Sequence, residues 1–212
     1  MILLFEKGMT ERLERLIVAT RNRKKTVEIR EILEGSCEVV DVTELEAEGM
    51  TLPEIEETGT TFIQNATLKA VGISRVVEGL VLADDSGLEV DGLGGEPGVW
   101  SSSYGGEEGN HVKNNARLEK ELQAVAEADR TGRFQCVMVL ARGGQALAEF
   151  AGAVEGRLIE SARGAEGFGY DPYFIPDGYE ETFAELGRAI KNGMSHRGRA
   201  LAQAADWVRK YE

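Results

Sequence analysis

The 212-residue chain carries 37 acidic and 24 basic residues, a net charge of −13, and 42% of its residues are hydrophobic. This balance excludes a disordered chain and is typical of a globular protein that buries a core without disulfides. No apolar run approaches the length that crosses a bilayer, so we expect no membrane partner. General nucleic-acid binding is also not expected, because it requires a broad basic surface.

The apolar block at residues 1–5 is too short for the core of a signal peptide, and a charged residue follows it at once. We therefore expect residues 1–15 to be an N-terminal appendage and residues 16–212 to form a single domain of two lobes. Cys37 and Cys136 lie in apolar, strand-like surroundings without metal-ligand spacing, which is typical of buried thiols in a reducing compartment. A cytoplasmic protein is expected.

The first half of the chain alternates apolar runs with amphipathic segments. Strands are predicted at residues 16–20, 37–40 and from residue 80, and helices at residues 25–34 and 61–78. Between them, residues 44–59 form an acidic stretch that is predicted to be irregular. Hydroxyls of Thr58 and Thr60 can cap the second helix.

The second half contains two glycine-rich loops, residues 92–109 and 164–172. Apolar runs at residues 134–141 and 146–154 flank Gly143 and Gly144, which is a hairpin pattern. The remaining predicted elements are helices at residues 110–128 and 196–210, the latter capped by Ser195, and a short strand at residues 173–175. The pattern predicts an α/β fold with a mixed, twisted central sheet and flanking helices, arranged as two lobes around a cleft.

Two adjacent carboxylates, Asp84 and Asp85, follow the apolar run at residues 80–82. Ionised carboxylates beside a buried strand must be paired, hydrogen-bonded or metal-bound to offset desolvation. Oxygen ligands of this kind suit Mg²⁺ or Ca²⁺. A simple turn after the strand explains the residues 84–87 equally well, because Asp, Ser and Gly are ordinary turn formers.

A basic loop joins the first strand to the first helix, so free backbone amides and the helix dipole point at whatever lies there. Phosphate is the natural ligand of such a loop, and a solvated basic cap is the alternative. On a later segment, Glu57 could join Asp85 around one Mg²⁺ and Lys69 could contact phosphate oxygens. The alternative for these residues is a solvated acidic loop and a surface lysine.

The second glycine-rich loop presents Phe168 and Tyr170, whose faces can stack on a nucleobase, although packing below the loop is an alternative. Lys191, His196 and Arg197 offer donors that can bind a carbonyl oxygen or a phosphate. A surface helix start is the alternative for the His-Arg pair.

Six motifs, in this order, resemble those of the inosine triphosphate pyrophosphatase family, and the likeness runs from residue 16 to the C-terminus. They are Ala19-Thr20-x-Asn22-x-x-Lys25, Glu57-x-Gly59-x-Thr61-Phe62-x-x-Asn65-Ala66, Ala83-Asp84-Asp85-Ser86-Gly87-Leu88, Leu93-Gly94-Gly95-x-Pro97-Gly98, Gly167-Phe168-Gly169-Tyr170-Asp171-Pro172 and Ser195-His196-Arg197.

The resemblance implies Mg²⁺-dependent hydrolysis of ITP, dITP and XTP to the nucleoside monophosphate and pyrophosphate, in a homodimeric α/β protein. It implies that Asp85 is the general base and a metal ligand, that Glu57 is a second metal-linked carboxylate, and that Ser86 contacts substrate. Asp84 would support Asp85 without binding the metal itself. The residues implied to hold the triphosphate are Thr20, Arg21, Asn22, Arg23, Lys24, Lys25 and Lys69. Those implied to hold the nucleoside are Phe168, Gly169, Tyr170, Asp171, Lys191, His196 and Arg197.

Donors from His196 and Arg197 would pair with the 6-oxo group of hypoxanthine or xanthine and would be left unpaired against adenine. Ser103 departs from the family pattern, since arginine is usual at that position, so a basic contact is either missing or supplied by another residue. Two alternatives stay open: a house-cleaning pyrophosphatase for other modified nucleotides, and a catalytically silent nucleotide-binding module.

Overall fold

A computed structural model describes residues 14–211, so residues 1–13 of the predicted appendage lie outside the described part. One six-stranded sheet runs through the domain in the order β2-β1-β3-β4-β5-β6. The strands are β1 Arg15–Val18, β2 Glu38–Asp41, β3 Leu80–Val90, β4 Thr131–Arg142, β5 Gln145–Leu158 and β6 Phe174–Pro176. Pairing is parallel among β2, β1 and β3 and antiparallel from β3 onward. The predicted mixed α/β fold is confirmed.

Seven α-helices within residues 14–211 flank this sheet. They are α1 Arg23–Ile32, α2 Val42–Ala47, α3 Phe62–Ser74, α4 His111–Leu122, α5 Phe183–Leu186, α6 Arg188–Met194 and α7 His196–Tyr211. Helices α1 and α7 pack on one face of the sheet, and α3 packs on the other. A third apolar cluster joins α4 and α5 to the distal half of β3 and its neighbours. No helix within residues 14–211 is long and apolar enough to cross a membrane.

Strand β3 differs from the prediction, because it does not end at the carboxylates. It continues through Asp84 and Asp85 to Val90, so the alternative of a turn at residues 84–87 is wrong. The parallel neighbour β1 pairs with β3 only from Leu80 to Leu82, whereas β4 pairs with it through to Val90. Pairing with β4 supplies the backbone hydrogen bonds that extend the strand. The two carboxylates therefore lie just beyond the point where β1 stops.

The acidic stretch at residues 44–59 was predicted to be irregular, and this is wrong for its beginning, where α2 forms. Asp41 accepts hydrogen bonds from the amides of Thr43 and Glu44, and the Glu44 carboxylate accepts one from the Asp41 amide. This reciprocal capping stabilises a helix of only six residues. After Gly49 the segment is irregular up to the start of α3, as predicted.

Other boundaries differ modestly. Helices α3 and α4 end earlier than predicted, at Ser74 and Leu122. Gly143 and Gly144 both have positive φ angles, 57° and 81°, which confirms the predicted two-residue hairpin turn. The Ser195 hydroxyl accepts a hydrogen bond from the Gly198 amide at 3.0 Å and so caps α7 as predicted. Cys136 is buried, whereas Cys37 is only half-buried, contrary to the prediction.

Candidate active site

A cavity of about 380 Å³ lies at the position where β1 ends, and Ala19 and Thr20, which follow that strand, line it. Most of the predicted site residues line it: Thr20, Arg21, Asn22, Lys25, Glu57, Lys69, Asp85, Ser86, Phe168, Gly169, Tyr170, Asp171, Lys191, His196 and Arg197. Arg23 and Lys24 instead line a second, smaller cavity of about 210 Å³, together with Phe168 and Lys191. Phe168 lines both cavities.

The basic loop at one end of the large cavity is held by its own side chains. The Asn22 side chain accepts hydrogen bonds from the amides of Lys24 and Lys25, at 3.1 and 3.4 Å, and so caps α1. The Thr20 hydroxyl accepts one from the Asn22 amide at 3.1 Å. The first turn of α1 contains no acidic residue that would neutralise the positive end of the helix dipole. This end of the cavity therefore favours an anion.

Asp84 and Asp85 point to opposite faces of β3. Asp84 faces α1 and α7, where its Oδ2 lies 3.1 Å from Lys25 Nζ and 3.0 Å from an Arg197 nitrogen. Burial alone would raise the pKa of Asp84, but these two cations hold it well below its usual range. Asp84 is therefore ionised and acts as the anchor for two cations that line the cavity.

Asp85 faces α3. Its two oxygens contact Lys69 Nζ at 3.1 Å and Asn65 Nδ2 at 3.3 Å, and Lys69 Nζ also lies 2.7 Å from Glu57 Oε2. Burial raises the pKa of Asp85 to about 6, against the attraction of the Lys69 ammonium. A carboxylate with such a pKa is largely ionised at neutral pH and is still a useful proton acceptor.

Asn65 is a site residue whose role is not evident from the sequence. Its Oδ1 accepts a hydrogen bond from the Gly59 amide at 2.8 Å while its Nδ2 faces Asp85. A Cβ atom on Gly59 would lie 2.6 Å from that same Oδ1. Gly59 is therefore required for the approach that orients Asn65. The only sequence signal was that both residues lie within one motif.

Phe168, on the second glycine-rich loop, lines the same cavity, and the Lys24 ammonium lies 5.7 Å from the centre of its ring. Asp171 Oδ2 accepts hydrogen bonds from the Phe168 amide and from Lys191 Nζ, each at 2.7 Å. The Lys191 ammonium also lies 4.9 Å from the centre of the Phe168 ring. This buried acid and buried cation fix the ring in place.

His196 and Arg197 both lie on the cavity wall and are buried. Arg197 donates to Asp84 and to the Ser86 hydroxyl, each at 3.0 Å, and also to Glu28. The His196 ring stacks on Phe134 with the centroids 5.0 Å apart. Burial, with Arg197 and Lys191 nearby, lowers the pKa of His196 well below its usual value, so the ring is neutral.

Two nitrogens on this wall, His196 Nδ1 and Arg197 Nε, are buried and have no hydrogen-bond partner among the described residues. Buried polar atoms without partners are uncommon in folded proteins and require an explanation. A ligand in the cavity would supply the missing partner.

Glu28, on α1, is a second residue that sequence reasoning missed. It pairs with Lys191 at 2.9 Å and with Arg197, and these contacts lower its pKa despite its burial. Two buried cations require such a counter-ion. The sequence alone could not choose Glu28 among the many glutamates of the chain.

The position of Ser103 bears on the departure from the family pattern. Its amide donates to the Trp100 carbonyl at 3.0 Å, and its carbonyl accepts from the Gly106 amide at 2.7 Å. Ser103 is not among the residues that line the large cavity. The departure therefore lies outside the cavity wall.

The fit of a divalent cation can be judged from the carboxylates. Glu57 and Asp85 are brought together by the shared Lys69 ammonium. Residues 14–211 contain no cluster of three or more His, Cys, Asp or Glu side chains arranged for a metal. Mg²⁺ commonly uses one or two carboxylates and takes its remaining ligands from water and substrate phosphates. Glu57 and Asp85 therefore fit a Mg²⁺ ion whose remaining ligands are water and substrate phosphates.

One cavity of this α/β fold brings together a basic loop at a helix N-terminus, a buried carboxylate with a raised pKa and the Phe168 ring. The chain belongs to the Ham1 family, which it matches over residues 16–207. This confirms the family resemblance that the sequence motifs indicated.

Similar proteins cover nearly the whole chain. The dITP/XTP pyrophosphatase of Bacillus licheniformis is 46% identical over 189 residues, which is 89% of this chain and 95% of that protein. The dITP/XTP pyrophosphatase of Geobacter sulfurreducens is 45% identical over 194 residues, 91% of this chain and 95% of that protein. The solved structure of a Ham1 protein from Coxiella burnetii matches with a TM-score of 0.81 at 34% identity, covering 93% of this chain and all of that one.

Proposed function

We propose that this protein hydrolyses the deaminated purine nucleotides dITP, XTP and ITP to the nucleoside monophosphate and pyrophosphate. The observation that carries the proposal is Asp85, a buried carboxylate with a raised pKa, set between a cationic loop and an aromatic platform in one cavity. The names of the similar proteins support the same activity.

Asp85 acts as the general base in this proposal. One of its oxygens accepts a proton from water as that water attacks phosphorus at the α–β phosphoanhydride, and the bond to the leaving pyrophosphate breaks. Lys69 and Asn65 hold the carboxylate at its two oxygens and so fix its orientation. General-base catalysis of this kind typically contributes about 10²- to 10⁴-fold.

The triphosphate lies against the basic loop. Asn22 and Lys25 line the cavity at the start of α1, and Lys69 lines it from α3. Fixed cations and amides that match the charge developing on phosphate oxygens stabilise the transition state. Arg23 and Lys24 line the neighbouring cavity, so we assign them no direct phosphate contact.

Glu57 and Asp85 would hold Mg²⁺. When bound, the ion supplies positive charge that neutralises phosphate oxygens and orients the substrate. Support for this assignment comes from the pair of carboxylates and the chemistry of the substrate.

Base selection is assigned to His196 and Arg197. The free N–H of Arg197 Nε, and Nδ1 of His196 in the tautomer that is protonated there, can donate to a 6-oxo group. An adenine amino group would place donor against donor, and leaving such buried donors unpaired costs about 1 to 3 kcal/mol each. ATP should therefore be a poor substrate.

The decisive assay measures pyrophosphate release with Mg²⁺ from dITP, ITP, XTP, GTP and ATP. We expect release from the first three and little from ATP. Orthophosphate as the product, or equal turnover of ATP and ITP, would contradict the proposal. Turnover of modified pyrimidine nucleotides would favour the broader house-cleaning alternative, and tight ITP binding without hydrolysis would favour a silent binding module.

Two pairs of variants test the carboxylates. Asp85→Asn should abolish turnover, whereas Glu54→Gln, which removes a carboxylate from the rim of the same cavity, should not. Glu57→Gln should raise the Mg²⁺ concentration required for half-maximal rate, and Glu56→Gln is the neighbouring control. Equal Mg²⁺ requirements for the two variants would remove Glu57 from the metal site.

We also propose a homodimer in the cytoplasm. The family resemblance supports the dimer, and the cysteines, neither in a disulfide, support a reducing compartment. Light scattering after size exclusion measures the mass directly, and a monomer at assay concentration would contradict the dimer.

A further inference from the structure

His111 lines the large cavity beside Phe168 and is assigned no part in the proposed hydrolysis. It is the first residue of α4, directly after Asn110, whose side chain caps the helix by accepting from the Lys113 amide at 3.1 Å. The His111 ring is half-buried and lines the cavity opposite Phe168, with the ring centroids 6.2 Å apart. Helix α4 thus provides a third wall beside β3 and the second glycine-rich loop.

The imidazole of His111 has its hydrogen-bonding capacity unused. Neither ring nitrogen has a hydrogen-bond partner within residues 14–211. Burial, with the Lys24 ammonium nearby, lowers the pKa of His111 against the opposing effect of Asp171. A neutral imidazole carries one donor and one acceptor nitrogen, so it can both give and receive a hydrogen bond.

The distance between the rings indicates how a bound base would meet His111. A base that packs on Phe168 lies about 3.5 to 4 Å from it, and a second ring stacked beyond would need about twice that separation. The observed 6.2 Å, with a 53° angle between the rings, is too short and too tilted for such a sandwich. His111 can meet a base on Phe168 only at its edge, which is the geometry of a hydrogen bond.

Helix α4 also fixes the opposite wall, so the spacing is set by the fold. Asn115, one turn after His111 on the same face of the helix, donates from Nδ2 to the Gly169 carbonyl at 3.1 Å. The Tyr170 hydroxyl donates to the Ser101 carbonyl at 2.8 Å, which ties the loop a second time. The Phe168 loop and His111 are therefore positioned by the same helix.

We propose that His111 is a substrate-binding residue that hydrogen-bonds the polar edge of the nucleoside while the base packs on Phe168. This inference rests on the proposed pyrophosphatase function, since it assigns the nucleoside to the Phe168 end. It predicts an effect on binding of the nucleoside part and no effect on the phosphate end, where Asp85 and Lys69 lie.

The test compares His111→Ala with Val112→Ala in the pyrophosphate-release assay with dITP. Val112 is the next residue of the same helix turn and is 80% exposed, so it controls for changes to α4 itself. Loss of one hydrogen bond should raise KM about 3- to 10-fold in His111→Ala with kcat within about twofold. Val112→Ala should match the wild type. A KM for His111→Ala equal to that of Val112→Ala would overturn the inference.

Product inhibition locates the effect within the cavity. Inosine monophosphate should inhibit His111→Ala more weakly than the wild type by the same factor as the KM change, whereas pyrophosphate should inhibit both equally. Equal weakening of both inhibitors would indicate a general distortion and would overturn the assignment. His111→Gln retains a donor and an acceptor and should restore most of the affinity; a KM as high as that of His111→Ala would exclude the hydrogen bond. If the wild type released no pyrophosphate from dITP, the proposed function would fail before His111 was tested.

Discussion

Replacing the proposed general base should stabilise the protein while it destroys activity. Asp85 is 7% exposed, and burial raises its pKa from an ordinary 3.8 to about 6. The folded state therefore holds a proton that the unfolded state has already released between these two values. Stability must fall as the pH rises through this range, because the ionised carboxylate is less favourable inside the protein than in water.

The size of this effect follows from the shift. One pKa unit corresponds to about 1.36 kcal/mol, so the rise to about 6 amounts to a loss of about 3 kcal/mol once Asp85 is fully ionised. Asn at position 85 does not titrate and avoids that loss. The free energy of unfolding of Asp85→Asn should equal that of the wild type near pH 4 and exceed it by about 1 to 3 kcal/mol near pH 8.

The measurement is urea unfolding of both proteins between about pH 4 and pH 8, with EDTA and without nucleotide. Only the difference between the two proteins matters, because titrating groups that do not interact with Asp85 contribute equally to both. Glu54→Gln serves as the control, since it should show no such pH-dependent difference. A variant that is less stable than the wild type at pH 8, or a difference that does not change with pH, would refute the reasoning.

The pH dependence of kcat/KM should show an acidic limb near the pKa of Asp85, about 6, because the base must be ionised. Lys69→Met removes the cation that holds this pKa down, so the acidic limb should move to higher pH. A limb that does not move would show that it does not report the ionisation of Asp85. Glu28→Gln removes one of the two carboxylate partners of Lys191 and of Arg197, which keep Asp171 and Asp84, and should cost about 1 to 3 kcal/mol of stability. Urea unfolding measures this cost, with the exposed Glu31→Gln as control, and equal stabilities would contradict the buried ion network.

The sequence predicted the elements whose signals are local. The hairpin at Gly143-Gly144 was predictable because two glycines provide the positive φ angles that the turn needs. Helix α2 escaped notice because its six residues carry no long periodicity, and its stability comes from capping between Asp41 and Glu44. The length of β3 depends on pairing with β4, about fifty residues away in the chain, and no local pattern records that contact.

For the site, too, the sequence predicted some features and could not predict others. Most of the predicted site residues line the cavity, because their types are those that phosphate and base chemistry require. The roles of Glu28 and Asn65 follow from three-dimensional contacts, with Arg197 in one case and Asp85 in the other. The separation of Arg23 and Lys24 from the cavity also depends on how α1 turns its side chains away. The sequence of residues 20–25 does not show which way each side chain points at the start of α1.

Because side chains alternate between the two faces of β3, the two neighbouring aspartates differ chemically only through the face on which each lies. Asp84, at an even position, meets Lys25 and Arg197, while Asp85, at an odd position, meets Lys69 and Asn65. A shift of one residue in the β3–β4 register would exchange the surroundings of the two aspartates. Asp84 would then meet the partners of Asp85, and Asp85 those of Asp84. The correct β3–β4 register therefore determines which aspartate has the surroundings of the general base. A single-residue insertion early in β3 should cost activity even in molecules that still assemble a sheet.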